Sequence, residues 1–152
     1  MSLPYRLNVG AVLFGPDGRV FVGRRAGFAG AWQLPQGGID EGEDPKVAVL
    51  RELLEEVGTD KAEVIGEHGE WLTYDLPPEL LGVAWGGKYQ GQRQKWFALR
   101  FLGADSDIRL DADAHPEFVE WKWVGLDELP GLAVAFKRHI YEVLARDFAV
   151  YA

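Results

Sequence analysis

Two apolar runs open the chain, at 7–14 and 19–24, and Pro16-Asp17-Gly18 separates them. The pattern predicts a β-hairpin, with Val20 and Val22 on one face of the returning strand and Phe21 on the other. Residues 26–31 are small and glycine-rich and lead to Trp32; they are expected to form a mobile loop beside a bound ligand. From Pro45 to Val57 the period lengthens to that of a helix. Asp44 is a natural N-cap, Pro45 suits the first helical position and Gly58 a C-terminal stop. At 100° per residue, Val47, Leu50, Leu54 and Val57 fall on one side, and Glu52, Glu55 and Glu56 gather on the opposite one.

Residues 62–68 and 70–76 read as two further strands, the second ended by Pro77-Pro78. No period holds over 79–91, which reads as a loop with a helical turn at 79–81. Gln92 to Leu102 reads as a long strand, with Phe97, Leu99 and Phe101 sharing a face with Arg93 and Lys95. Residues 106–114 are acidic and loop-like. Phe118 to Val124 alternates, placing Phe118, Glu120 and Lys122 opposite Val119, Trp121 and Trp123. A helical turn at 126–130 precedes a closing amphipathic helix at 134–148, whose contacts are Val134, Ile140, Tyr141, Leu144 and Phe148. Strands on both sides of a central helix, with a second helix at the end, predict an α+β fold with a mixed sheet between helices.

The chain has 152 residues, 47% hydrophobic and 26% charged, which suits one soluble globular domain over 1–152. It has no cysteine, which excludes disulfides and thiolate metal sites. No apolar run approaches membrane-spanning length, and the N-terminus lacks a secretory pattern, so a cytoplasmic address is expected. A net charge of −8 argues against broad, nonspecific nucleic-acid binding, though not against the grip of one phosphorylated end.

Three carboxylates on one helical turn repel one another, and a solvated acidic face is the simplest reading of such a cluster. Three neighbours point elsewhere. Glu43 stands in a glycine-flanked loop and can fold over the same face. Arg51 can hold a carboxylate in a bidentate contact. Gly37 and Gly38 let the backbone approach a ligand closely. Oxygen-only ligand sets of this kind suit Mg²⁺ shared with substrate phosphates.

The residues Gly37, Glu43 and Arg51-Glu52-Leu53-Leu54-Glu55-Glu56-Val57-Gly58 resemble the Nudix box, G-x5-E-x7-R-E-U-x-E-E-x-G-U, over 37–59. Thr59 alone departs, standing where a bulky aliphatic is usual. The resemblance implies an α/β/α sandwich whose box forms a strand–loop–helix at the active site. It also implies hydrolysis of a nucleoside diphosphate linked to another group, with Mg²⁺, Mn²⁺ or another divalent ion as cofactor.

Trp32-Gln33-Leu34-Pro35-Gln36-Gly37-Gly38 is similar to the WQxPQGG signature of one Nudix subgroup, which contains bacterial RNA pyrophosphohydrolases and diadenosine tetraphosphate hydrolases. The similarity runs through Arg24-Arg25, Gly91–Phe97, Pro116-Glu117-Phe118 and Phe136-Lys137-Arg138, and weakens over 79–90, where substrate preference could lie. By that resemblance the partner is a 5′-phosphorylated RNA end or a dinucleoside polyphosphate, with no membrane and no stable protein partner. The near-continuous match through the QRQKWF strand and the FKR segment favours the RNA end.

Site candidates follow by the same resemblance. Glu52, Glu55, Glu56 and the Gly37 carbonyl are expected to hold metal, with Glu117 joining them as ligand or base. Glu52 is the first choice for the base and Glu117 the second. Glu43 and Arg51 brace the loop against the helix. Phe136 and Arg24 or Arg25 are candidates to stack on a base. Lys137 or Arg138, Arg6, Arg93 and Lys95 are candidates for phosphate contact, and Tyr74 for the cleft wall. Trp32, Trp121 and Trp123 read as structural, and no role is assigned to His68, His115 or His139. The rival from another class is a nucleotide-sensing Nudix module, which the full set of box carboxylates disfavours.

Overall fold

The computed structural model describes residues 3–26, 31–113 and 116–152. The centre of the glycine-rich stretch and His115 lie outside them. Strands β1 (Tyr5–Phe14) and β2 (Val20–Arg25) form the expected hairpin, and β3 (Gln36–Gly38) returns against the first half of β1. Helix α1 (Pro45–Val57) has the bounds that its sequence signals predict. The Asp44 side chain accepts the Lys46 N–H, and Gly58 ends the helix in the left-handed conformation, φ 82°. Strands β4 (Ala62–Glu67), β5 (Leu72–Asp75), β6 (Gly91–Phe101) and β7 (Phe118–Val124) follow. The short α2 (Leu129–Leu132) and α3 (Arg138–Asp147) close the chain.

The mixed seven-stranded sheet runs β4-β6-β1-β2-β7, with β3 on β1 and β5 on β6. The β1–β6 pair is parallel and the others are antiparallel. Both long central strands change neighbours along their length. β6 holds β5 against its first half and β4 against its second. β1 holds β3 and then β2, and the split frees one end of the sheet to open as a cleft.

Helices cover both faces. One core packs α1 through Val49, Leu53 and Val57 on Val9, Leu13, Phe97 and Leu99. The other packs α3 through Ile140, Tyr141 and Leu144 on Val12, Val22 and Trp96. The alternation of Val20 and Val22 against Phe21 is realised as a division between these two cores. No helix among the described residues is long and apolar enough to cross a membrane.

Three expectations are corrected. The packed face of α1 is Ala48, Val49, Leu53, Glu56 and Val57, while Val47 is 59% and Leu54 47% exposed. The helix carries more apolar residues than one stripe needs, and it is rolled so that Glu56 points inward. In β7, a register shift opposite Arg24 and Arg25 leaves Val119 exposed and brings Phe118 to the face of Trp121 and Trp123, all three against the core of Phe21. Such a bulge reverses simple alternation. The last helix starts at Arg138, after a 3₁₀ turn at Ala135–Lys137, so Val134 lines a cavity rather than a helix face. The 79–91 connection contains turns and a short 3₁₀ segment at Ala84–Gly87. Thr59 is buried, and its Oγ1 accepts the Lys61 N–H at 3.1 Å, so the one departure from the box is accommodated by packing plus a turn contact.

Candidate active site

Arg51 fixes the loop to the helix. Its Nε and Nη2 donate to the two oxygens of Glu43 at 2.8 Å each, and Nη2 also donates to the Gly38 carbonyl at 2.9 Å. Its Nη1 donates to Glu52 Oε1 at 2.9 Å and to Glu55 Oε1 at 3.3 Å. Glu43 additionally accepts the Asp40 N–H at 3.0 Å. The Arg51 guanidinium, aided by that amide, holds the Glu43 carboxyl down at about 2. Glu43 is therefore a brace. Gly37 presses on the same cluster from the other side: a Cβ there would lie 2.0 Å from the Glu52 carboxyl carbon, so only glycine allows this approach.

Glu52 and Glu56 are compensated less fully. Burial, opposed by Arg51 and reinforced by Glu55 and Glu117, pushes the Glu52 carboxyl up to about 7. Glu56 is 2% exposed. Its Oε2 accepts the Gln36 N–H at 3.2 Å, while its Oε1 has no hydrogen-bond partner. Burial first, then the charges of Glu117 and Glu52, raise its carboxyl well above the usual range. Ionised carboxylates crowded into a half-buried site need a cation. Among the described residues, no three acidic or histidine side chains are already gathered as a ligand set. The donors nevertheless fit a hard divalent ion. They are oxygen-only, they destabilise one another in its absence, and one buried oxygen is orphaned.

Part of this cluster lines a cleft of about 500 Å³. Glu117, remote in sequence, lines the cleft together with Glu52, Glu55 and Gly37. Arg6, Arg25 and Lys137 also line it. Burial, then the nearby Arg25, lowers the Lys137 ammonium to about 8. Another part of the lining is aromatic: Tyr74 and Phe136 pack with ring centroids 5.5 Å apart, and Tyr74 Oη donates to Gln92 Oε1 at 3.0 Å. Lys137 joins the two kinds of surface: its ammonium lies 5.5 Å from the Tyr74 ring centroid and feels the charges of Glu56 and Glu117.

Three expected substrate contacts fall elsewhere. Arg24 is held by Glu120 in a salt bridge across β2 and β7 and does not line the cleft. Lys95 donates to the His68 carbonyl at 2.6 Å and pairs with Glu67 at 3.3 Å. Arg93 lies over the Trp71 ring at 5.9 Å. The parity of β6 explains the last two, because the strand turns its odd-numbered residues away from the face that carries Gln92 and Gln94.

Those amides were missed in the sequence. Gln92 and Asn8 line the cleft, and Gln94 Nε2 donates to Asn8 Oδ1 at 3.0 Å and to Gln36 Oε1 at 2.9 Å. The network ties β1, β3 and β6 together directly behind the glycine turn. Neutral amides carry no charge signal; a Gln-x-Gln alternation in a buried strand was the available clue. Trp32 lines the cleft with Lys122 over its ring at 4.3 Å, and Trp121 stacks on Phe21. His68 is fastened to Asp147 at 2.7 Å and His139 to the Thr73 carbonyl at 3.1 Å, and neither lines the cleft.

The NUDIX domain matches residues 4–144. A protein named RNA pyrophosphohydrolase from Acidiphilium cryptum is 60% identical, the match covering 99% of this chain and 94% of that protein. Another of that name from Gluconacetobacter diazotrophicus is 58% identical over 99% and 95% of the two chains. Among solved structures, the E. coli dihydroneopterin triphosphate pyrophosphohydrolase superposes with a TM-score of 0.71 at 21% identity, covering 98% of this chain and 99% of that one. A C. elegans Ap4A hydrolase gives 0.67 at 22%, covering 96% of each. At such identities these two establish the fold alone. The full-length match, with a box whose glycine, arginine and carboxylates converge on one cleft, means that the chain belongs to the Nudix family.

Proposed function

We propose that the protein is a metal-dependent pyrophosphohydrolase that acts on the 5′-triphosphate end of RNA and releases pyrophosphate. The observation that carries this reading is the meeting of three kinds of group in one cleft. A braced carboxylate cluster, the basic groups Arg6, Arg25 and Lys137, and the Tyr74–Phe136 surface all line it, with Lys137 in reach of both the Tyr74 ring and the charges of Glu56 and Glu117. A nucleoside 5′-triphosphate presents complementary groups: a base for the aromatic surface, and phosphates, with the α–β anhydride that pyrophosphate release breaks, for the basic and acidic groups. Relatives named RNA pyrophosphohydrolase at 58–60% identity support the choice of substrate.

Glu52, Glu55, Glu56 and Glu117, with the Gly37 carbonyl, would hold the divalent ion, Mg²⁺ in the first place and Mn²⁺ as an alternative. When bound, the ion neutralises charge on the bridging phosphates and lowers the pKa of coordinated water. The protein's own part is positioning. Arg51 and Glu43 keep the glycine turn against α1, so that Gly37 and Glu52 stay in contact. Arg6, Arg25 and Lys137 receive the phosphate oxygens. Glu52 is the base: Oε1 is held by Arg51, and Oε2 faces the Gly37 turn and takes the proton of the attacking water. Phe136 stacks on the 5′-terminal base.

The test compares turnover of 5′-triphosphorylated RNA, 5′-diphosphorylated RNA and diadenosine tetraphosphate under identical Mg²⁺. The reading requires pyrophosphate release from the triphosphorylated RNA. It fails if that RNA is inert while diadenosine tetraphosphate turns over. Because the grip is local, affinity should change little with RNA length beyond a few nucleotides and should show a shallow salt slope. Phe136→Ala should weaken binding by about 1–3 kcal/mol through lost stacking.

A further inference from the structure

The connection between β5 and β6, residues 76–90, is pinned at its base. The Leu76 N–H donates to the Gln90 carbonyl at 2.7 Å, and the Gln90 N–H to the Pro4 carbonyl at 3.0 Å. At its far end the backbone takes an unusual path. Trp85 is the only non-glycine with positive φ, 51°, among the described residues, and Gly86 and Gly87 follow at 70° and 75°. A bulky aromatic residue in this region is strained, and it persists only where its surroundings hold it there.

Trp85 is held over Arg6. The Arg6 guanidinium carbon lies 5.7 Å from the Trp85 ring centroid, a cation–π distance. On its other side the guanidinium fills the space that a side chain at position 38 would occupy, with Nη2 2.5 Å from an ideal Cβ on Gly38. Arg6 is therefore wedged between an indole and a glycine of the box. It stands where two cavities meet. The cleft and a second, open recess of about 410 Å³ share Arg6, Gly38 and Glu52. Trp85 belongs to the cleft and Tyr89 to the recess, and the two rings meet edge to face at 6.3 Å.

We infer that Trp85 is a positioning residue for substrate phosphate: its strained turn holds the Arg6 guanidinium at the junction of cleft and recess, against the phosphate chain as it passes to the carboxylates. This rests on the pyrophosphohydrolase reading given above. Among the described residues no carboxylate pairs with Arg6 to aim it, so the indole face and the glycine gap supply its orientation. The 79–90 connection, the stretch least like the subgroup, thereby bears on substrate binding without itself touching the reacting bond.

The test is steady-state kinetics with 5′-triphosphorylated RNA in Mg²⁺ on Trp85→Ala, Trp85→Phe, Arg6→Gln and the Trp85→Ala/Arg6→Gln double variant. Trp85→Ala should raise KM about fivefold with kcat within about twofold. Trp85→Phe, which keeps a π face, should recover most of the loss. In the Arg6→Gln background, Trp85→Ala should raise KM no further. A turn that matters only for folding would lower Tm and act equally in both backgrounds. That additive result, or an unchanged KM in Trp85→Ala, overturns the inference. Failure of the wild-type enzyme to process the RNA would instead overturn the functional reading, so the two failures are distinct.

Discussion

Replacing Glu52 with Gln should stabilise the metal-free protein while abolishing its activity. Gln keeps the shape, and its oxygen can still accept from Arg51 Nη1, the partner of Glu52 Oε1 at 2.9 Å. The side chain is only 13% exposed, so solvent screens little of its burden. Moving this carboxyl from 4.5 to about 7 disfavours its ionised form in the folded chain by about 3 kcal/mol. The raised pKa fixes the sign. Wild-type stability from this group is complete below about pH 4.5 and is lost as pH rises through about 7. The variant has no proton to lose there, so its advantage in EDTA should grow from near zero at pH 4.5 to about 3 kcal/mol at pH 8. For a chain of this size that corresponds to a Tm gain of about 6–12 °C.

Thermal unfolding followed by circular dichroism, in EDTA at pH 5 and pH 8, measures the gap directly. Saturating Mg²⁺ should narrow or reverse it, because ligand stabilisation then falls mainly to the wild type. Turnover should drop by orders of magnitude. Equal or lower stability of Glu52→Gln at pH 8 in EDTA would refute the claim that crowding and burial destabilise this carboxylate. Near-normal turnover would remove Glu52 from the chemistry.

Glu117→Gln should also lower kcat strongly, with its Tm in EDTA unchanged or raised, since its charge adds to the burden on Glu52 and Glu56; near-wild-type kcat would place it outside the machinery. Gly37→Ala brings a methyl 2.0 Å from the Glu52 carboxyl carbon and should cost at least about tenfold in kcat; activity within twofold of wild type would show that the close approach is unimportant. Lys137, lowered to about 8, loses its proton in the folded chain before the unfolded chain does, so stability should rise between about pH 8 and 10.5 while phosphate affinity falls. KM for triphosphorylated RNA should therefore climb above pH 8 in the wild type and stay flatter in Lys137→Arg; identical profiles would exclude Lys137 from phosphate contact.

Local signals were legible in the sequence, and packing choices were not. The ends of α1 followed from Asp44, Pro45 and Gly58, whose capping geometry is decided within a few residues. The face of α1 did not follow, because apolar residues surround more of the helix than one stripe needs. The burial of Glu56 is set by the β3 turn above it. The bulge at Val119 was invisible for a similar reason: alternation describes a strand alone, while a bulge is a property of its pairing with β2. Glu117 was legible only through its resemblance to a subgroup motif, since no spacing rule links position 117 to position 52.

The misplacement of Arg93 and Lys95 shows what a single further observation would have supplied. Side-by-side residues of paired strands point to the same face of a sheet. In the parallel pair β1–β6, Arg6 stands beside Gln92, Asn8 beside Gln94 and Gly10 beside Trp96. Once Arg6 is placed in the cleft, Gln92 and Gln94 must turn toward it, and Arg93 and Lys95 must turn away. The basic candidates Arg6, Arg93 and Lys95 were thus never independent choices. Charge nominated them one by one, but register admits Arg6 and rejects its two β6 rivals together. The same register puts a bare glycine, Gly10, where a Cβ would lie 2.3 Å from the Trp96 ring. That contact fixes β1 against β6 directly beyond the amides, which holds Arg6, Asn8, Gln92 and Gln94 in one row behind the box.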